Sequence, residues 1–275
     1  MEKKSAFAPV NGAELYYEIA GSGQALVMIH AGIADSRMWD HEFETFAKSY
    51  RVLRYDMRNY GQSKPVPEQA YRPIEDLEAL LEYLHITESI ILMGCSMGGE
   101  LAMDFCLKHP QKVAALIMSC SGPSGLTLDV ARPAQFSEIN AAFEAEDYDR
   151  VNELELQVWV DGGRPTDQVD PTVRALVYEM NQQALAYEVA GLGERLPNAP
   201  AEAAAASRLK EIRCPVLIIS GEFDTAYMQA AAEYMKQHIA RTTYYSISDA
   251  AHLPNMEKPD LFHSCVVSFL NEALD

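Results

Sequence analysis

Four apolar runs without polar alternation, Ala25–His30, Val52–Tyr55, Ser89–Met93 and Val113–Met118, follow one another in the first half of the chain. A fifth comes at Val216–Ser220 and a weaker sixth at Thr243–Ile247. Runs of strand length that lack a polar face read as strands covered on both sides, the condition of a parallel sheet. Helical periodicity fills the intervals at Trp39–Ala47, Ile74–His85, Gly98–Lys108, Met228–His238 and Leu261–Leu270. Strand alternating with helix predicts right-handed crossovers and a doubly wound, mostly parallel α/β sheet. Ahead of it, Ala6–Pro9 and Glu14–Ile19 predict a hairpin around Asn11-Gly12.

One interval breaks the alternation. Between Ser121 and Arg213 no strand is expected. Helical patterns occur there at Gln135–Ala145, Asp149–Val160, Thr172–Leu185 and Ala201–Leu209, parted by turns such as Asp161-Gly-Gly-Arg-Pro165. At 275 residues the chain is near the upper limit for one core, and this interval is too long for a loop. The expected organisation is an α/β core from residues 1–121 and 214–275. A helical lid, residues 122–213, is inserted over the carboxyl ends of the strands, where open α/β sheets bind ligands.

The sharpest local signal is Gly94-Cys95-Ser96-Met97-Gly98-Gly99, set between the Ser89–Met93 run and a helical pattern. A G-x-S-x-G pentapeptide at a strand-to-helix junction is a nucleophile elbow: the turn exposes the serine hydroxyl, and only small residues fit beside it. Here the chain resembles the α/β-hydrolase fold family over nearly its whole length. The resemblance implies an acid after the next-but-one strand and a histidine near the C-terminus. Cys214-Pro-Val-Leu-Ile-Ile-Ser-Gly-Glu-Phe-Asp224 matches the first, and Asp249-Ala-Ala-His252-Leu-Pro-Asn-Met-Glu-Lys-Pro259 the second. It therefore implies a triad of Ser96, His252 and Asp224, with Glu222 and Asp249 as the nearest rivals to Asp224. Serine is a weak nucleophile alone, so the histidine accepts its proton and the acid orients the histidine.

His30-Ala-Gly-Ile-Ala34 resembles the family's oxyanion segment, with Ala31 in place of the usual Gly. The backbone N–H of Gly32, with Ile33 as second choice, is expected to act with that of Met97. Asp56-Met-Arg58-Asn59-Tyr-Gly61 resembles a further family segment in which Asn59 replaces Gly, and Asp56 and Arg58 are expected to hold loops. Trp159 and Ile33 are the pocket candidates, while Phe136, Phe143, Tyr178 and Met180 serve equally well as core. Cys95 reads as a packing residue rather than a nucleophile.

Composition narrows the partners. With 22 Lys+Arg against 40 Asp+Glu, a net charge of −18, phosphate backbones and anionic membrane surfaces are repelled. No run is long enough to span a bilayer, and the start lacks the apolar core of a signal peptide. Five cysteines at no metal-like spacing suit reduced thiols in a cytoplasmic protein. No metal, nucleotide or other cofactor is expected. Ser96 also argues against dehalogenase and epoxide-hydrolase chemistry, since those enzymes of the fold resemble one another in placing aspartate at the elbow.

The expectation is a serine hydrolase cleaving a small or medium carboxylic ester or lactone through an acyl-enzyme, similar to 3-oxoadipate enol-lactonase-like proteins. Carbon–carbon bond hydrolysis, cofactor-free perhydrolysis and ligand sensing with slow turnover are the alternatives on the same scaffold. From Glu138 to Arg208 there are 14 acidic and 5 basic residues, a net −9. This charge suits the solvated outer face of amphipathic helices; the sharper alternative is a negative lid that disfavours anionic substrates and so favours neutral esters over an enol-lactone.

Overall fold

The computed structural model describes residues 3–64 and 69–274. In chain order its elements are β1 (Lys3–Val10), β2 (Ala13–Ala20), β3 (Ala25–Ile29), α1 (Asp40–Phe46), β4 (Arg51–Tyr55) and α2 (Pro73–Tyr83). Next come β5 (Ile90–Cys95), α3 (Met97–Lys108), β6 (Val113–Ser119), α4 (Gln135–Glu144), α5 (Tyr148–Leu156) and α6 (Pro171–Val189). The chain ends with β7 (Val216–Gly221), α7 (Ala226–His238), β8 (Thr242–Ile247), α8 (Pro254–Glu257) and α9 (Pro259–Leu274). One eight-stranded sheet runs in the order β1-β2-β4-β3-β5-β6-β7-β8. It is antiparallel across β1, β2 and β4 and parallel from β4 through β8. The first two strands turn at Asn11 and Gly12, with φ of 47° and 81°, a primed hairpin turn.

The unbroken apolar runs have the predicted cause. Ala25, Val27 and Ile29 of β3 join one buried cluster with residues of α2, α3 and α7. Leu26 and Met28 of the same strand join a second cluster with α1 and α9. Both faces of the sheet are thus covered by helices, so neither face of the strand can be polar.

Between β6 and β7 the described residues add no strand to the sheet. Helices α4, α5 and α6 follow the expected patterns, and Ala142, Val151, Leu154 and Leu185 form a small cluster of their own. Two differences stand out. The Ala201–Leu209 pattern is not an α-helix but three single 3-10 turns, Ala201–Ala203, Ala205–Ser207 and Leu209–Glu211. The amides of Ala205 and Ala206 donate to Oγ and the carbonyl of Ser124 instead of to carbonyls four residues back, which halts helix propagation. In addition, Tyr71 and Arg195 form an isolated bridge, Tyr71 N–H donating to Glu194 O at 2.9 Å and Leu196 N–H to Tyr71 O at 2.8 Å. Among the described residues no helix is long and apolar enough to cross a membrane.

Candidate active site

The turn after β5 is built so that almost nothing but its own sequence fits. Ser96 sits at φ 52°, ψ −119°, a backbone conformation that costs roughly 1–3 kcal/mol for a residue with a side chain. Its carbonyl accepts from Gly99 and Glu100 N–H, each at 3.0 Å, and from Ser121 Oγ at 2.6 Å, while its N–H donates to Ser119 O at 3.0 Å. Four hydrogen bonds at about 0.5–1.5 kcal/mol each are enough to hold that conformation. A Cβ at Gly94 would overlap the Gly98 carbonyl, and one at Gly98 would overlap the Ile29 carbonyl. Helix α3 can therefore start directly behind the serine only because both positions lack a side chain. Ser96 itself is only half-buried.

The β7–α7 turn carries Asp224. Phe223 N–H donates to Ala250 O at 2.9 Å, and Thr225 N–H donates to Asp224 Oδ1 at 2.7 Å. His252, buried to 2% exposure, directs Nδ1 at both carboxylate oxygens, 3.0 and 2.9 Å away. A carboxylate only accepts, so Nδ1 carries a proton, which in the neutral imidazole leaves Nε2 as the acceptor. Glu222 and Asp249 face elsewhere. Glu222 accepts from Asp249 N–H at 2.9 Å, and the exposed Asp249 carboxylate is held by Lys258 at 2.6 Å. Cys95 is fully buried with its Sγ against the His252 carbonyl at 3.6 Å, and burial pushes the thiol up, away from thiolate chemistry. Cys120 was not singled out by the sequence. Its sulfur and ligand atoms of Asp224 and His252 lie within 4.8 Å of one another. Nδ1 is already committed to the carboxylate, so this grouping offers a cation no free imidazole nitrogen on that side.

The histidine loop is anchored from the helical segment. After α5 the chain takes a π turn, residues 157–161, and reverses at Gly162 with φ 59°. This brings the Trp159 ring 4.5 Å from that of His252, and the Trp159 carbonyl accepts from His252 N–H at 3.1 Å. Arg164 pairs with Glu257 at 2.6 Å, and Glu257 accepts from Ala251 N–H at 2.7 Å.

The loop after β3 is fixed by His30. Met57 N–H donates to its Nε2 at 2.9 Å, so Nδ1 holds the proton and donates to Ala31 O at 2.8 Å. Complete burial lowers the pKa of this imidazole despite nearby Asp56, which suits a neutral structural role. Gly32 lies against Met97, whose Cβ would be 3.9 Å from a Cβ placed on the glycine. Among the described residues, the amides of Gly32, Ile33 and Met97 donate to no protein acceptor. Asp56 accepts from Ser36 and Gln62 N–H at 2.8 and 2.7 Å, Arg58 pairs with Asp76 at 2.8 Å, and Asn59 takes φ 68°, so this segment holds loops as expected.

Two clefts open beside these groups. One, of about 340 Å³, is mostly apolar, with Trp159, Phe136, Leu126, Leu128 and Met228 among its walls. The other, of about 400 Å³, runs from Gly32 and Ile33 past Tyr60 and Tyr71 to Tyr187 and Arg195. Trp159 and Ile33 thus each line a cleft. Of the other aromatic and sulfur candidates, Phe136 packs edge-on against Trp159, Met180 is core, Tyr178 packs on that core, and Phe143 is exposed beside Tyr148. Arg195, Tyr60 and Tyr71 went unremarked in the sequence because nothing local distinguishes them.

Comparison with known proteins agrees with this fold. The family model described as alpha/beta hydrolase fold matches residues 24–259. A pimeloyl-[acyl-carrier protein] methyl ester esterase of Nitrosospira multiformis is 26% identical over 93% of this chain and 97% of its own. 3-Oxoadipate enol-lactonase 1 of Acinetobacter baylyi is also 26% identical, over 94% of this chain and 90% of its own. The crystal structure of the enol-lactonase from Burkholderia xenovorans superposes with a TM-score of 0.77 at 25% identity, covering 96% of this chain and 99% of that one. The chain belongs to the α/β hydrolase fold family.

Proposed function

We propose that this protein is a cytoplasmic serine hydrolase that cleaves a small or medium carboxylic ester or lactone. Ser96 Oγ attacks the carbonyl carbon while His252 Nε2 takes its proton. The N–H groups of Met97 and Gly32 receive the oxyanion, and Asp224 holds Nδ1–H so that the imidazolium forms facing a carboxylate. As the carbon–oxygen bond breaks, His252 returns the proton to the leaving alcohol. Water then attacks the acyl-serine, with His252 again as base, and releases the acid and Ser96. Residues 122–213 serve as a lid, since Trp159 and Arg164 reach from it onto the histidine loop. The names of the relatives support an ester or lactone substrate, and the five free thiols suit a reducing compartment.

One observation carries the reading. A buried His252–Asp224 pair and a serine held at positive φ occupy the same end of the sheet, with three uncommitted amides beside them. Short-chain 4-nitrophenyl esters test it. The wild type is expected to show turnover at least about 10⁴-fold above Ser96→Ala. Equal rates in the two proteins would remove the assignment.

A further inference from the structure

We infer that the enzyme selects esters whose acyl arm ends in an anionic group, a carboxylate above all, and that Arg195 is the residue that recognises it. This rests on the hydrolase reading and adds the substrate class to it.

The leaving oxygen must reach His252 Nε2, and the ring beside that imidazole is Trp159 in the apolar cleft. The carbonyl oxygen must meet Met97 and Gly32. The remaining substituent, the acyl arm, is then directed into the cleft that begins at Gly32 and Ile33 and contains Arg195. Arg195 Nη1 lies 2.6 Å from Sδ of Met97, the residue next to Ser96. A thioether is a weak acceptor and cannot neutralise a guanidinium, which stays charged in any protein. Nine arginines, including Arg37, Arg54, Arg58 and Arg174, have carboxylate partners, but among the described residues Arg195 has none within 4.0 Å. The exposed Arg213 and Arg241 have no such partner among the described residues either; what sets the exposed Arg195 apart is its place against Met97, next to Ser96. The backbone bridge to Tyr71 holds it there.

Two carboxyls share the cleft, Glu155 and Glu188, and neither pairs with Arg195. Asn181 donates to Glu155 at 2.7 Å, and burial drives that carboxyl toward its neutral form. Arg132 in the apolar cleft also lacks an ion pair among the described residues, but its neighbours there are Leu128, Val130 and Pro133 rather than the Ser96 turn. The net −9 of the surrounding segment suggested the opposite preference. Apart from Glu155 and Glu188 in the cleft and the buried Asp161, which pairs with Arg174, most of those charges lie on the surface and are screened beyond about 8–10 Å, whereas a carboxylate on Arg195 makes short charge-assisted bonds.

The test compares mono-4-nitrophenyl adipate with 4-nitrophenyl hexanoate, which share acyl length and leaving group. Wild type is expected to favour the adipate in kcat/KM by about tenfold or more. Arg195→Gln should lower the adipate value about ten- to hundredfold, leave the hexanoate within about threefold, and be partly rescued by Arg195→Lys. No wild-type preference, or equal loss on both esters, overturns the assignment of Arg195. Should neither ester be turned over faster than by Ser96→Ala, the hydrolase reading fails instead. Calorimetric titration with monomethyl adipate then decides the Arg195 question: binding weakened at least tenfold by Arg195→Gln upholds it, and unchanged binding refutes it.

Discussion

The turns at the carboxyl edge of the sheet and the helical segment between β6 and β7 meet at His252, yet they are built in different ways. The turns have no slack. Gly94 and Gly98 stand where a single methyl would strike backbone, and Ser96 keeps an unfavourable φ because four hydrogen bonds hold it. The helical segment has a small apolar cluster of its own and reaches the turns through a few side chains, Trp159 packed against His252 and Arg164 paired with Glu257. Positions closed by backbone can only be kept or lost. Positions filled by side chains can be exchanged without closing on backbone.

That contrast makes predictions of decreasing size. Asp224→Asn should lower kcat by about 10³–10⁴ on every ester, because the imidazole loses its orienting carboxylate. Asp249→Asn, altering surface contacts with Lys258 and, at 3.8 Å, Arg164, should stay within twofold; the reverse ranking would place the acid elsewhere. Trp159→Ala should act about tenfold on esters of bulky alcohols and little on methyl esters. If methyl and benzyl esters decline alike, Trp159 belongs with the turns and the contrast dissolves.

The smallest effect is on stability and reports on the tight side of the molecule. Glu42 in α1 is fully buried, and among the described residues neither carboxylate oxygen has a hydrogen-bond partner. Burial is the main cause that pushes its pKa up to about 8 from 4.5. A raised carboxyl pKa stabilises the fold most below about 4.5, and that contribution is lost as pH rises through about 8. Glu42→Gln keeps a neutral side chain at all pH. Its melting temperature relative to wild type should therefore climb by several degrees between pH 5 and pH 9. A pH-independent difference would mean that Glu42 is not held neutral.

How much was legible beforehand follows the same division. The strand runs and the elbow could be read because each is a local pattern imposed by local geometry, whereas Asp224 and His252 were implied only by the resemblance to the family. A both-faces-covered strand must be apolar throughout, and a strand-to-helix turn this tight must be glycine-flanked. The extent of Ala201–Leu209 was misread because helical propensity lost to hydrogen bonds from Ser124, 81 residues away from Ala205. Trp159 was a candidate for the pocket, but the π turn that swings it onto His252 leaves no periodic trace.

By itself the sequence determined the doubly wound sheet and put a serine, not an aspartate, at the elbow, while the family resemblance pointed to Asp224, with Glu222 and Asp249 as rivals, and to His252. Only the tertiary structure separated Asp224 from Glu222 and Asp249 as the carboxylate on His252, split the surroundings into an apolar and a mixed cleft, and left Arg195 beside Met97 without a carboxylate partner among the described residues. The reason is one of range. Backbone geometry constrains neighbouring residues and so writes itself into short motifs, whereas charge pairing and cleft shape join residues far apart in the chain, such as Met97 and Arg195, whose proximity no spacing rule encodes.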